Sequence, residues 1–378
     1  MDTTFPYDRY VTGRNFIGRR KDVMALEARV LGGENVAVYG EPRTGKMSLI
    51  QQMLMHAMTK EKHLVVADVD LLRERTGRGV LKTFVSAVLK SCASSPAEYP
   101  ALVEEYLGGT HFCFDRDRFD DYGEMVCFRG TLADSDIDAA FSLPSKLASG
   151  MSKRLVVLVR QFQAVLDCEE SFRLLSSMEQ YVQQRDGVVS YIFTGSRLNG
   201  MREIFCIKRW FWRSVELIPL SPVDTADIVE YVRKEFQFRG KVIQPEFIEL
   251  AVSALRGTMW YINHLFSIID GVARGYVGRD AVPEGIDILL SIHGGRFYSQ
   301  ICSLTDFQLS LLRAVIDGET QLSSSRVIGL YSLNSAANVK RLKDALIKKE
   351  ILWFDDEDVP HIQDPLFEYW LRKVYFER

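Results

Sequence analysis

Gly40-Glu41-Pro42-Arg43-Thr44-Gly45-Lys46-Met47-Ser48 is the stretch on which the reading of this chain turns. It nearly satisfies G-x-x-x-x-G-K-[ST], the pattern of a loop that wraps phosphate oxygens. The spacing has a physical reason. Glycines let backbone N–H groups turn inward, the following helix offers the positive end of its dipole, and the lysine reaches the outer phosphates. The context agrees. Asn35-Val36-Ala37-Val38-Tyr39 reads as a short buried strand, and 48–59 places Leu49, Ile50, Met53, Leu54 and Met58 on one helical face. Strand, glycine loop and helix, in that order, are what a phosphate loop requires. One position breaks the pattern. The residue after Lys46 should carry a hydroxyl for Mg²⁺, and it is Met47. Ser48 has the hydroxyl but sits one residue later, about 100° further round the helix, so it is expected to point elsewhere.

Outward from the loop, strands and helices alternate. A helix is expected over 22–31, strands over 64–69, 155–159 and 188–194, and helices over 80–92, 142–149 and 172–185. Apolar runs separated by helical patterns argue for a parallel sheet covered on both faces. Residues 93–140 mix Pro, Gly, Asp and aromatics and read as an irregular insertion. After Pro219 the pattern turns helical, over 224–236, 245–255 and 260–273. A third pattern follows: helices over 306–317, 323–331 and 335–349, then Ile351-Leu352-Trp353-Phe354, an acidic turn and Pro360-His361-Ile362 as a two-stranded wing. The expected organisation is an α/β phosphate-loop core at 1–215, a helical lid at 216–290 and a winged-helix domain at 291–378.

Composition narrows the class. The 378 residues are 47% hydrophobic and 26% charged, enough for two or three cores, and the net charge of −3 provides no global basic field. Six scattered cysteines include no Cys-x-x-Cys pair and no zinc spacing, which reads as idle thiols in a reducing compartment. Residues 1–15 lack an apolar leader core, and no run approaches the ~18 apolar residues of a membrane span. A cytoplasmic protein without a membrane partner is the expectation. His264 on an apolar helix reads as packed, not as a ligand, and no metal-binding or catalytic group is assigned. Trp210-Phe211-Trp212 reads as hinge packing, with an exposed contact as the alternative.

Several motifs together resemble a known family. The chain looks like the archaeal-type ATPases of the STAND class, AAA+-like relatives of the Orc/Cdc6-type proteins. Phe16-Ile17-Gly18-Arg19-Arg20 resembles the family's opening box, which lies near the adenine in related proteins. Gly40 to Ser48 resembles its G-x-x-R-x-G-K-T-S loop, with Arg43 and Lys46 kept. Leu155 to Gln163 resembles its V-V-V-I-D-E-F-Q strand, Gly195-Ser196-Arg197 its sensor motif, and Asp364-Pro365-Leu366-Phe367-Glu368-Tyr369-Trp370-Leu371-Arg372 its winged-helix ending. The resemblance implies ATP or ADP as cofactor, held by Phe16, Ile17, Gly18, Arg19 and the loop residues Gly40, Glu41, Pro42, Arg43, Thr44, Gly45, Lys46, Met47 and Ser48.

The departures lie on one chemistry. Met47 replaces the Mg²⁺ hydroxyl, and Arg160-Gln161 stand where the family has Asp-Glu. Hydrolysis is therefore expected to be weak or absent. Two readings of Arg160 stay open: a fixed cation that neutralises phosphates without Mg²⁺, or an arginine paired with a local acid. The expected function is a nucleotide-binding regulator or scaffold. The alternatives are an active ATPase with Mg²⁺ ligands such as Asp68 or Asp70, and a nucleotide-free structural subunit, perhaps beside an intact paralogue in an oligomer. The 335–349 helix, with Asn338, Lys340, Arg341 and Lys343 outward, is the candidate DNA- or protein-binding face. From residue 291 onward, 11 basic residues meet 12 acidic ones, so the domain is not basic overall.

Overall fold

The computed structural model describes residues 4–184, 187–220 and 222–377. The chain forms two compact units, one of Lys21–Tyr39 and Met53–Leu220, the other of Met1–Arg20, Gly40–Gln52 and Ser221–Arg378.

The first unit is a five-stranded parallel sheet with helices. Its elements are α1 (Arg20–Leu31), β1 (Asn35–Tyr39), most of α2 (Lys46–Lys60), β2 (Leu64–Asp70), α3 (Gly77–Cys92), α4 (Tyr99–Leu107), β3 (Phe112–Cys113), α5 (Arg116–Tyr122), β4 (Cys127–Phe128), α6 (Asp134–Gly150), β5 (Arg154–Arg160), α7 (Ser171–Gln183), β6 (Val189–Thr194), α8 (Leu198–Arg202) and β7 (Val215–Pro219). The strand order is β2-β5-β6-β1-β7. The central strands are apolar on both faces because helices cover both: Leu155 to Val159 and Ile192 and Phe193 are all buried. Asn35 opens β1 and shows how a polar residue earns a place in this core. Its Nδ2 donates to Val182 O (3.1 Å) and Ser214 O (3.2 Å), and its Oδ1 accepts from Tyr191 N–H (2.9 Å).

The second unit is helical, with a small hairpin. It holds α9 (Thr225–Phe238), α10 (Pro245–Ala254), α11 (Met259–Val272), α12 (Ala281–Cys302), α13 (Asp306–Ile316), α14 (Ser325–Leu330), α15 (Ala336–Lys348), the antiparallel pair β8 (Leu352–Phe354) and β9 (Pro360–Ile362), and α16 (Pro365–Trp370). One core joins them, from Phe5 and Ile228 through Phe266 and Phe297 to Leu366 and Trp370.

Several expectations need correction. The insertion at 93–140 is not irregular: it carries α4, α5, the β3–β4 hairpin and the first turns of α6. Asp136, fully buried, orders it by accepting from the N–H groups of Ala133 (2.8 Å) and His111 (2.9 Å). Its short elements, and Pro144 inside α6, hid the helical period. The 290/291 boundary falls inside α12, a continuous 22-residue helix. Pro283 sits in its first turn, where a missing N–H costs nothing. Gly285 has a packing reason, since a Cβ there would lie 2.8 Å from Leu265 Cδ1 of α11. β7 went unread because it is only half-buried. The phosphate loop also belongs with the helical unit, whereas the sequence reading placed it with the sheet. The expected end of the 172–185 helix lies outside the described residues.

Asn35 gives a direct test of this core. Asn35→Ala strands three buried backbone groups and should cost ~2–4 kcal/mol. Urea unfolding should show a lower midpoint with an unchanged slope; an unshifted midpoint would mean those groups find other partners.

Candidate functional site

The loop from Gly40 to Gly45 precedes α2, whose first turn begins with Lys46. Arg43 takes a left-handed backbone (φ 64°), a conformation that a long side chain adopts only when its surroundings fix it. Lys46 is 7% exposed, and its Nζ donates to Gly40 O (2.9 Å) and Glu41 O (2.7 Å). Burial lowers the Lys46 pKa to about 8; nearby Glu41 raises it and Arg19 lowers it further. Thr44 Oγ1 donates to Glu41 O (2.8 Å) and closes the loop on itself. Ser48 Oγ accepts from Val11 N–H (3.1 Å), and Gln52 Oε1 accepts from Gly13 N–H (2.8 Å).

These two bonds tie the segment just before the opening box to the loop's helix. Beside it, a cavity of about 410 Å³ is lined by Arg14, Ile17, Gly18 and residues of α9, among them Asp227, Tyr231 and Glu235. Gly18 is required there. Its φ is +59°, and a Cβ would lie 2.9 Å from Val223 and 3.0 Å from the Asp227 carboxylate. Glu235 is 8% exposed, has no hydrogen-bond or ion-pair partner among the described residues, and has its carboxyl pushed up by burial against the pull of Arg14 and Arg239. The box and the loop thus share one unit with a cavity.

The two charged side chains of the loop reach the winged-helix elements. Asp364 caps α16 and is the hub. Its carboxylate accepts from five donors: the N–H groups of Leu366 (3.1 Å) and Phe367 (3.3 Å), Tyr261 Oη (2.7 Å), Arg43 Nη1 (3.0 Å) and Arg296 Nη2 (3.0 Å). Tyr261 Oη in turn accepts from Arg43 (3.1 Å) and Arg296 (2.9 Å). Burial, then the Asp364 charge, pushes its pKa up. The Arg43 guanidinium also lies 4.8 Å from the Trp260 ring centre. On the other side, Glu41 accepts from Trp353 Nε1 of β8 (3.0 Å) and faces Arg256 at 3.8 Å. Arg256 continues to Ile362 O (2.6 Å) and Glu368 (3.3 Å). Sequence reasoning missed Tyr261, Arg296, Arg256 and the role of Trp353. Only the Asp364-Pro365 pair, an N-cap followed by a helix-starting proline, was a signal.

In the sheet unit, Arg160 ends β5 and is held by Asp68 (2.7 Å) and Asp70 (2.9 Å) of β2. Gln161 is left-handed (φ 56°), and its Oε1 accepts from Ser196 N–H (3.1 Å), Ser196 Oγ (2.7 Å) and Gln163 Nε2 (2.9 Å). Arg197 pairs with Asp167 (2.7 Å). Most polar groups at the ends of β5 and β6 are thus satisfied within the unit, while Thr194 Oγ1 and Gln163 Oε1 are buried without a partner among the described residues. Among the described residues, no group of three or more His, Cys, Asp or Glu side chains could hold a metal ion.

On α15, Lys340 and Arg341 are exposed. Lys343 is engaged by Asp358 (3.0 Å) and the Phe354 ring (4.1 Å), and Asn338 Nδ2 donates to Leu333 O (3.1 Å). Two of the four expected contact residues are thus committed within their own domain.

A Walker-type ATPase of Pyrococcus abyssi superposes with a TM-score of 0.64 at 15% identity, covering 98% of this chain and 99% of that one. The fold is that of the Walker-type and Orc ATPases. The Aeropyrum pernix ORC2 protein, solved in ADPNP–ADP complexes, gives 0.55 at 14% identity over 97% and 96% of the two chains. The Aeropyrum pernix ORC1 protein, solved in complex with DNA, gives 0.52 at 13% over 99% and 96%. A family model described as a probable winged helix domain matches residues 295–373. No curated protein matches this sequence. No helix among the described residues is long and apolar enough to cross a membrane.

The Asp364 hub predicts a stability order. Asp364→Ala leaves two guanidinium groups and a buried phenol without their acceptor and should cost ~2–3 kcal/mol, discounted for partial exposure. Tyr261→Phe should cost about 1 kcal/mol. Chemical denaturation checks both; equal, negligible shifts would show that the hub carries no energy.

Proposed function

We propose that this chain binds an adenine nucleotide at the Gly40–Ser48 loop, hydrolyses it slowly or not at all, and acts as a regulator or scaffold through its winged helix. The observation that carries the reading is Lys46, a buried ammonium whose Nζ touches only loop carbonyls, at the head of a helix and behind a glycine-bounded loop. A phosphate is the ligand that such a group stabilises best. The backbone N–H groups of the loop and the first turn of α2, with Lys46, would hold the phosphates. The cavity beside Gly18 would take the base. The Orc fold, solved elsewhere with nucleotide, supports this assignment.

The residues fit a nucleotide but fit Mg²⁺ poorly. Met47 offers no oxygen, and Asp68 and Asp70 are both spent on Arg160. This favours the local-acid reading of Arg160 over a phosphate-neutralising one, and counts against an active ATPase that recruits Asp68 or Asp70. The Arg160 guanidinium already sits between two carboxylates, so phosphate would have to displace both. Gln161 cannot accept a proton from water, and its amide oxygen is taken up by Ser196. Nucleotide without metal is the consequence.

The regulatory reading rests on Arg43 and Glu41. Both arise from the phosphate loop and both bond winged-helix residues. An incoming phosphate competes with Asp364 for Arg43, so occupancy of the loop and seating of α16 and the β8–β9 hairpin are linked. Lys340 and Arg341 remain as the DNA-facing pair on α15. An ORC protein solved with DNA supports that target, while the acidic turn 355–358 and the committed Lys343 hold it to modest affinity.

Calorimetric titration of ATP and ADP, with Mg²⁺ and with EDTA, tests the reading. Binding should survive EDTA and fail in Lys46→Ala; no heat from nucleotide-free protein would overturn it in favour of a structural subunit. The pH dependence follows from Lys46. Its charged form, the one that binds phosphate, is present below about pH 8 and is lost above it. Affinity for ADP should therefore fall about tenfold from pH 7 to pH 9, while Lys46→Arg stays flat over that range.

A further inference from the structure

The segment between β6 and β7 carries an aromatic and cationic surface with no part in the loop chemistry. Its backbone is unusual. Arg209, Phe211 and Arg213, alternate residues, have φ of 56°, 61° and 65°, which bulky side chains adopt only where the surroundings force it. Those surroundings are plain. Phe211 is 1% exposed and packs against Phe162, Phe193 and Phe205 with ring centres 5.8, 5.3 and 5.7 Å away. Its N–H donates to the Glu179 carboxylate, and its carbonyl accepts from Ser214 Oγ (3.0 Å). The preceding π-helical turn, Glu203–Ile207, accepts Trp210 N–H at Ile204 O (3.0 Å).

Phe211 is thus a buried pin, and its neighbours are turned outward on a fixed frame. Trp212 is 57% exposed, Ile207 66% and Phe172 70%. Phe172 meets the Trp210 ring edge-on at 5.5 Å, and the Arg209 guanidinium lies 5.0 Å from the Trp212 ring centre. Hinge packing therefore describes Phe211 but not Trp212. Residues 202–213 hold four basic side chains and one acid, Glu203, which lies 3.6 Å from Lys208 Nζ, in a chain whose net charge is −3. A rigid, apolar and positive surface of this kind is matched by flat rings strung on an anionic backbone.

We infer that Phe172, Trp210 and Trp212, with Arg209 and Lys208, form a platform for single-stranded nucleic acid. Bases stack on the exposed rings and phosphates pair with the cations. Duplex is excluded from this surface because its bases are already stacked on one another. Recognition by stacking carries little sequence preference. The platform uses no residue of the phosphate loop or of α15, so it stands or fails independently of the nucleotide reading.

The test is fluorescence anisotropy of a labelled oligothymidylate of about twenty nucleotides and of a duplex of the same length, titrated with full chain. The variants are Trp212→Ala, Trp212→Phe, Arg209→Ala and, as a comparison on the winged helix, Lys340→Ala with Arg341→Ala. Circular dichroism checks that each folds. The single strand should bind, with Trp212→Ala and Arg209→Ala each weakening it about tenfold, Trp212→Phe retaining most of the affinity and the winged-helix variant leaving it unchanged. Absence of single-strand binding at low salt, or binding that Trp212→Ala does not alter, would overturn the proposal. So would sedimentation showing a dimer that Trp212→Ala dissolves, since the surface would then belong to a second copy of this chain.

Discussion

The Asp364 carboxylate is the point on which the helical unit depends. Five donors converge on it, two from the backbone of α16, one from a buried phenol and two from guanidinium groups. One of those guanidinium groups belongs to the phosphate loop. A charge this well satisfied stabilises α16, orients Tyr261 and holds Arg43 in its left-handed conformation. It also removes Arg43 from the loop's interior, leaving Lys46 as the buried cation there. The loop is therefore held from outside by α16 and β8.

The sheet unit shows the same economy. Arg160, Gln161, Ser196 and Arg197 follow one another at the ends of β5 and β6, and each is paired within the unit. The double carboxylate on Arg160 matters most. A lone arginine ending a strand would be costly, and a lone Asp68–Asp70 pair would be repulsive and ready for a cation. Together they satisfy one another at the β2–β5 edge.

The parallel sheet, the phosphate loop and the winged helix were legible because each has a strong local signature: doubly buried strands such as 155–159, glycines flanking a lysine, and an amphipathic α15 before a hairpin. Other features were hidden for physical reasons. α12 is interrupted in sequence by Pro283, Gly294 and Gly295, none of which breaks it. The ordering of 93–140 depends on Asp136, whose partners are the N–H groups of Ala133 and His111 and the His111 ring, none of which a periodicity reports. The partners of the loop lie 215 to 321 residues away along the chain, at Arg256, Tyr261, Trp353 and Asp364, and no periodicity reports a contact of that span. The opening box lines a cavity beside Gly18 within the unit that also holds the loop, which the sequence pattern alone did not report.

The central claim is that the phosphate loop and the winged helix are tied through Arg43 and Asp364. Hydrogen exchange of the β8–β9 hairpin and α16, measured with and without ADP, tests it most directly. The account predicts faster exchange in both elements when ADP binds, and an already raised, ADP-insensitive rate in Asp364→Asn. Exchange in the hairpin and α16 that ADP leaves unchanged, under conditions where calorimetry shows the site filled, would contradict it.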